Sequence, residues 1–141
     1  MLKSLVVVLA LLWTAPALAE GQAVRVEVTV IHATNAGTGV APDLAGLAKY
    51  LTKSFTQYNT FQRLDQQQQD LAQGAEAHLA LANGSELVYR NGGLKDGFVS
   101  LHLEVGGLKT TVNVKDGGTF FQAGRAYNGG MIVLAFKVTS H

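Results

Sequence analysis

Ser100 and His102 stand two residues apart in a run of alternating apolar and polar residues, so a hydroxyl and an imidazole fall on one face of an expected strand. A serine nucleophile needs that base within hydrogen-bond reach, a carboxylate to orient it and an oxyanion hole. No acid partner is recognisable beside the pair, and Ser54, Ser85, Ser100 and Ser140 all lack a G-x-S-x-G elbow. A small hydrolase is therefore the least favoured reading. His32, His78, His102 and His141 form no i, i+4 helical pair and have no second ligand beside them. Zinc requires three or four convergent ligands, which could arise here only if strands carrying His78 and His102 pair in register. The chain has no cysteine, so thiol chemistry and Cys-ligated zinc are excluded. Asp96 and Asp116 sit in glycine turns, where a carboxylate serves the turn backbone. No catalytic residue, metal site or cofactor is expected.

The loop Asn35-Ala36-Gly37-Thr38-Gly39 lies between an expected strand and helix, where a phosphate-binding loop would lie. Gly37-x-Gly39 opens the dinucleotide fingerprint, but Pro42 occupies the third glycine position and no Lys-Ser/Thr completes a P-loop. Successive βαβ units are absent as well, and nucleotide binding is not favoured. Asn83-Gly84-Ser85 matches a glycosylation sequon at an expected turn tip.

Recognition is better placed at Phe120-Phe121-Gln122-Ala123-Gly124-Arg125-Ala126-Tyr127. Adjacent residues of a strand point to opposite faces, so one phenylalanine can be core while the other lies outside. Arg125 and Tyr127 are expected in the loop that follows, and aromatic residues and arginine are common anchors at interfaces. Phe120, Phe121, Arg125 and Tyr127 are thus the candidate partner-binding residues. The competing reading buries both rings between layers and leaves Tyr127 closing the core edge.

The elements that must position these residues are mostly strands. Val24 to Val30 alternates valine with polar residues at a period of two, the mark of a half-buried strand. Leu44, Leu47, Leu51, Phe55 and Tyr58 recur at spacings of three and four after Pro42, predicting an amphipathic helix with Lys49, Lys53 and Gln57 on its wet side. Phe61 to Leu71, with its tract Gln66 to Gln69, reads as an exposed edge strand. Ala75 to Leu81 and Glu86 to Arg90 form an expected hairpin about Asn83-Gly84. Phe98 to Val105, Leu108 to Val114 and Thr119 to Gln122 follow, and Met131 to Val138 closes the chain. That last run is apolar on both faces at its centre and suits a central strand.

Five Asn-Gly or Asp-Gly dipeptides, at 83, 91, 96, 116 and 128, mark the turns of the second half. Asn83-Gly84 is the leading candidate for a two-residue hairpin. Asn91-Gly92-Gly93 and Asp96-Gly97 are read together as one broader loop. The fold class is α+β, mainly β: an antiparallel sheet or β-sandwich with one amphipathic helix packed on it.

Residues 1 to 19 combine Lys3, an apolar stretch from Leu5 to Trp13 and an Ala17-Leu18-Ala19 motif, predicting a cleaved signal peptide ahead of a single domain at 20 to 141. Without Lys3, ten basic residues balance ten acidic ones. Neutral, dispersed charge offers no footprint for nucleic acid or an anionic membrane, and no later apolar run is long enough for a transmembrane helix. These features favour an exported, periplasmic or secreted, noncatalytic protein-interaction or structural accessory domain. Its expected partner is another exported or envelope protein, with strand addition as one route. The alternative is a carrier of a small apolar ligand.

Overall fold

The computed structural model describes residues 23–37 and 39–140; the predicted signal peptide, Thr38 and His141 lie outside them. The fold is mainly β, two sheets with one short helical segment. The strands are β1 (Val24–Thr34), β2 (Gly39–Val40), β3 (Thr60–Leu71), β4 (Glu76–Ala80), β5 (Glu86–Lys95), β6 (Phe98–Val105), β7 (Leu108–Lys115), β8 (Thr119–Tyr127) and β9 (Gly130–Ser140). One sheet has the order β2-β3-β1-β9-β8 and the other β4-β5-β6-β7. Only β2 runs parallel to its neighbour.

Alternation decides the layers. Val24, Val26, Val28 and Val30 of β1, with Ile132, Leu134, Phe136 and Val138 of β9, face Leu87, Tyr89, Val99, Leu101 and Leu103 of the second sheet. Burying each such aliphatic side chain is worth about 1.5–3 kcal/mol over leaving it exposed. The odd-numbered residues turn to the other face. There Ile31, Ala33, Val133 and Ala135 are covered by Leu44 and Leu51, while Arg25 is exposed and Glu27 half-buried further along the same face. The double-sided apolar run of β9 is thus a central strand, sandwiched on one face and helix-covered on the other.

The helical segment is shorter than its stripe predicts. A 3-10 helix over Pro42–Leu47 leads into helix α1 (Ala48–Ser54), and Phe55 and Tyr58 reach the same apolar cluster from the turns beyond it. The chain must return quickly: β2 lies beside the first residues of β3, and Asn59 N–H bonds the Thr34 carbonyl. These ties leave room for only a short crossover.

The turns also redistribute. Asp96-Gly97, Gly106-Gly107 and Asn128-Gly129 have positive φ at both residues, as two-residue type I′ hairpins require. Asn83-Gly84 instead belongs to a longer connection, with positive φ only at Gly84 and Ser85 N–H bonded to the Asn83 side chain. Asn91-Gly92-Gly93 is not a loop but part of β5, with a bulge between Asn91 and Leu94 opposite Ser100. Asn91 is fully buried. Its amide nitrogen donates to the Leu71 carbonyl at 3.0 Å, and its oxygen accepts from Gly93 N–H at 2.8 Å. Its backbone meets Gly74 and Ala75 in the connection between the sheets.

Asn91→Leu would leave the Leu71 carbonyl and the Gly93 N–H without these partners. The expected loss is about 1–3 kcal/mol, because an unmade buried hydrogen bond costs more than a made one contributes. Urea unfolding would read it as a lower midpoint at unchanged slope, and an unchanged midpoint would refute the assigned role.

Candidate functional site

Strand β8 runs to Tyr127, so Arg125 and Tyr127 belong to a strand and not to the loop the sequence predicts. Gly124 looks like a loop residue but sits in a bulge between Ala123 and Ala126, opposite Ile132. A Cβ at Gly124 would stand 2.7 Å from the Ile132 carbonyl oxygen, so the close approach depends on glycine. The bulge sends Arg125 across to the other sheet, where Nη2 donates to the Gly106 carbonyl at 2.6 Å. Gly106 is constrained twice, by a φ of 55° and by Arg125 Nε lying 2.8 Å from where its Cβ would be.

The two phenylalanines separate by face. Phe120 stacks on Phe136 in the sandwich, with ring centroids 4.7 Å apart and planes at 6°. Phe121 lies on the helix side, edge-on to Phe55 at 6.2 Å and near Tyr50 at 6.3 Å. Both are half-buried and packed against a core cluster. Tyr127 points its ring at His32, centroids 5.1 Å apart, and its carbonyl accepts a hydrogen bond from His32 Nε2 at 2.9 Å. His32 was reachable from sequence: it continues the even-numbered face of β1.

Where the 81–85 connection, the Gly106-Gly107 turn and the β8 bulge meet, a slot of about 180 Å³ opens between the sheets. Leu81, Val105, Leu108, Ile132 and Leu134 line it together with Arg125. Arg125 is exposed, and Leu108 keeps 43% of its surface in solvent. The four predicted partner-binding residues therefore do not form one patch. Arg125 lines the slot, Tyr127 closes on His32, and the phenylalanines lie on opposite faces.

The second exposed feature is β3. Beyond the two residues paired with β2, no strand covers its outer side. Leu64 is an extra residue in the pairing with β1 and flanks Arg63 and Asp65, whereas Gln66 to Gln69 is uncharged and in regular register. Gln66 N–H donates to the Asp65 carboxylate at 2.8 Å. In an antiparallel pair, residues two apart share backbone direction, so Gln68 also turns its N–H outward. Gln67 faces the opposite way, accepting from the Tyr89 hydroxyl at 2.6 Å and donating to the His78 carbonyl. Burial pushes the Tyr89 phenol pKa up to about 12, which keeps it a neutral donor.

The outer face of the second sheet carries the remaining titratable groups. His102 Nδ1 lies 2.8 Å from Thr111 Oγ1, and its ring crosses the bulge so closely that a Cβ at Gly92 would be 2.5 Å from Nε2. Among the described residues no carboxylate bonds His102 and Ser100 does not bond it, so the relay a Ser-His hydrolase needs is not assembled. No cluster of three or more His, Asp or Glu side chains suited to a metal ion occurs among the described residues. The Asn35 to Gly39 loop, for which phosphate binding is not favoured, is tied internally: Gly37 N–H donates to Thr60 Oγ1 and Gly39 N–H to the Asn59 carbonyl. No family model, curated protein or solved structure matches the chain.

His78 lies between two carboxylates, with Nε2 2.9 Å from Glu76 and Nδ1 3.3 Å from Glu86. The Glu76 hydrogen bond leads in holding its pKa above the usual 6.5, and Glu86 adds to it. A raised folded pKa means that the contribution to stability is fully present below the unfolded pKa and fades as pH rises through the folded value. Imidazole NMR titration should place His78 above the usual histidine midpoint and Glu76→Gln should bring it down; an unmoved midpoint would contradict the assignment.

Proposed function

We propose that this chain is an exported, noncatalytic protein-interaction or structural accessory domain, acting in the periplasm or outside the cell. Its partner is another exported or envelope protein, which contributes an extended segment as an added strand on β3. The carrying observation is the open outer side of a strand of 12 residues of which β2 covers two. Edges are normally guarded by charges, bulges or covering elements. Here Arg63, the Leu64 bulge and Asp65 guard the first part and Asp70 the far end, while Gln66 to Gln69 between them has neither charge nor bulge. An added strand would draw affinity from backbone hydrogen bonds and selectivity from alternate side chains. The alternative, carriage of a small apolar ligand, has the 180 Å³ slot in its favour. An apolar cavity of about 150 Å³ accommodates a benzene-sized guest, so a ligand held there would be small.

Gln68→Pro deletes one outward donor and leaves the β1 ladder intact. Proximity labelling in the native cell, followed by pull-down with purified protein, should identify an envelope partner whose capture falls about tenfold or more in the proline variant, consistent with lost backbone bonds. Urea unfolding of the variant should stay cooperative with an unchanged slope, so that lost capture is not lost folding. Equal capture by both proteins would remove β3 as the docking edge, and no specific partner at all would remove the interaction reading.

A further inference from the structure

Arg125 is held in place by the bulge of its own strand and by the Gly106 turn of the other sheet. Bulges commonly re-aim a side chain, and this one requires a glycine packed on the Ile132 carbonyl and a second glycine beneath the guanidinium. The guanidinium bonds one backbone carbonyl through a single nitrogen, a neutral acceptor that leaves its positive charge uncompensated. No salt bridge engages Arg125 among the described residues, although Arg25 and Arg63 each have one. The result is a cation fixed at the wall of an apolar slot.

We infer that the slot binds the C-terminal residue of a polypeptide, its aliphatic or aromatic side chain against the accessible Val105 and Ala123, over the buried Leu81, Ile132 and Leu134, and its α-carboxylate on Arg125. Charge and size select this occupant. A chain terminus is anionic at neutral pH, and guanidinium–carboxylate pairing is the strong, directional form of the hydrogen bond. A volume of about 180 Å³ suits one large side chain and is short for a lipid tail. The flanking strands separate the remaining candidates: β7 and β8 end their respective sheets, so their outer backbone is available to an extended peptide, whereas a free fatty acid would use none of it. Leu108, exposed at the slot, supplies contact area for the residue before the terminus. This site is independent of β3, which lies at the other edge of its sheet.

The test uses the purified protein and three hexapeptides of one sequence: ending in leucine with a free carboxylate, ending in leucine amide, and ending in serine with a free carboxylate. Titration calorimetry is paired with amide NMR shifts. The free leucine peptide should bind saturably, shifting Leu108, Arg125 and Ile132, and the amide and serine peptides should each bind about tenfold more weakly or worse. Arg125→Gln should abolish the preference for carboxylate over amide. Leu108→Gln, at an exposed position with little risk to folding, should weaken the leucine peptide without changing that preference. Equal binding of acid and amide would overturn the proposal. So would octanoate shifting these residues while the peptides do not, which would assign the slot to a small-molecule carrier. Either result leaves the Gln68→Pro test of β3 unaffected, so the two readings fail separately.

Discussion

Asn91 is the joint on which the two sheets depend. A buried amide must find partners for its donor and acceptor, because leaving either unmade costs more than a made bond contributes. Asn91 meets this by bonding the end of β3 through the Leu71 carbonyl and the bulge of its own strand through Gly93. Gln67 repeats the device further along, joining Tyr89 and the His78 carbonyl. One flank of the sandwich is therefore closed by specific polar contacts in a chain without disulfides. The opposite flank, between β7 and β8, has the Phe120–Phe136 stack and Arg125 reaching to Gly106. The slot lies on that less constrained side.

Closure on one flank also fixes what the outer faces can do. With Val24 to Val30 committed to the sandwich, the odd residues of β1 must face outward, and α1 covers only the half that carries Ile31 and Ala33. The uncovered half presents Arg25, Glu27 and Lys137; the exposed pair of Arg25 with Asp70 at 2.9 Å contributes little to stability. Asp116 is tied differently. Its carboxylate accepts from the Ser140 hydroxyl and N–H, and the hydroxyl bond leads in lowering its pKa. A depressed carboxylate contributes above its unfolded pKa and loses that contribution as pH falls through the folded value. This tie and the Gly117 N–H bond to the Val138 carbonyl hold the end of β9 to the β7–β8 turn.

What could be read from sequence followed from local periodicity. The valines of β1, the strand Phe98 to Val105 and the double-sided run of β9 are set by which residues must leave water, and the sandwich with its helix follows. Exposure of Gln66, Gln68 and Gln69 was equally legible, whereas the inward turn of Gln67 depends on Tyr89, distant in the chain. Asn91-Gly92-Gly93 carries turn composition, yet Gly92 makes room for the His102 ring and Asn91 serves Leu71. Gly124 misleads in the same way, since glycine marks a close backbone approach as readily as a loop. Arg125 was legible as a residue type suited to recognition, but its slot comes from both sheets and has no linear signature.

The edges carry the functional argument because they differ in how they are guarded. A bulge and Arg125 interrupt β8, so a long flat pairing there is disfavoured and a terminal residue entering beside the bulge fits better. Lys109 and Lys115 guard β7 towards its ends, while the five residues between them, Thr110 to Val114, carry neither charge nor bulge. β3 also lacks interruption from Gln66 to Gln69, and its neutral amide side chains neither repel an approaching strand nor drive hydrophobic association. Unguarded edges are costly in a concentrated compartment because they invite aggregation. Of the two uninterrupted stretches, Gln66 to Gln69 lies in the longer strand and presents flexible neutral amides, which is why the proposed docking is placed on β3 and not on β7.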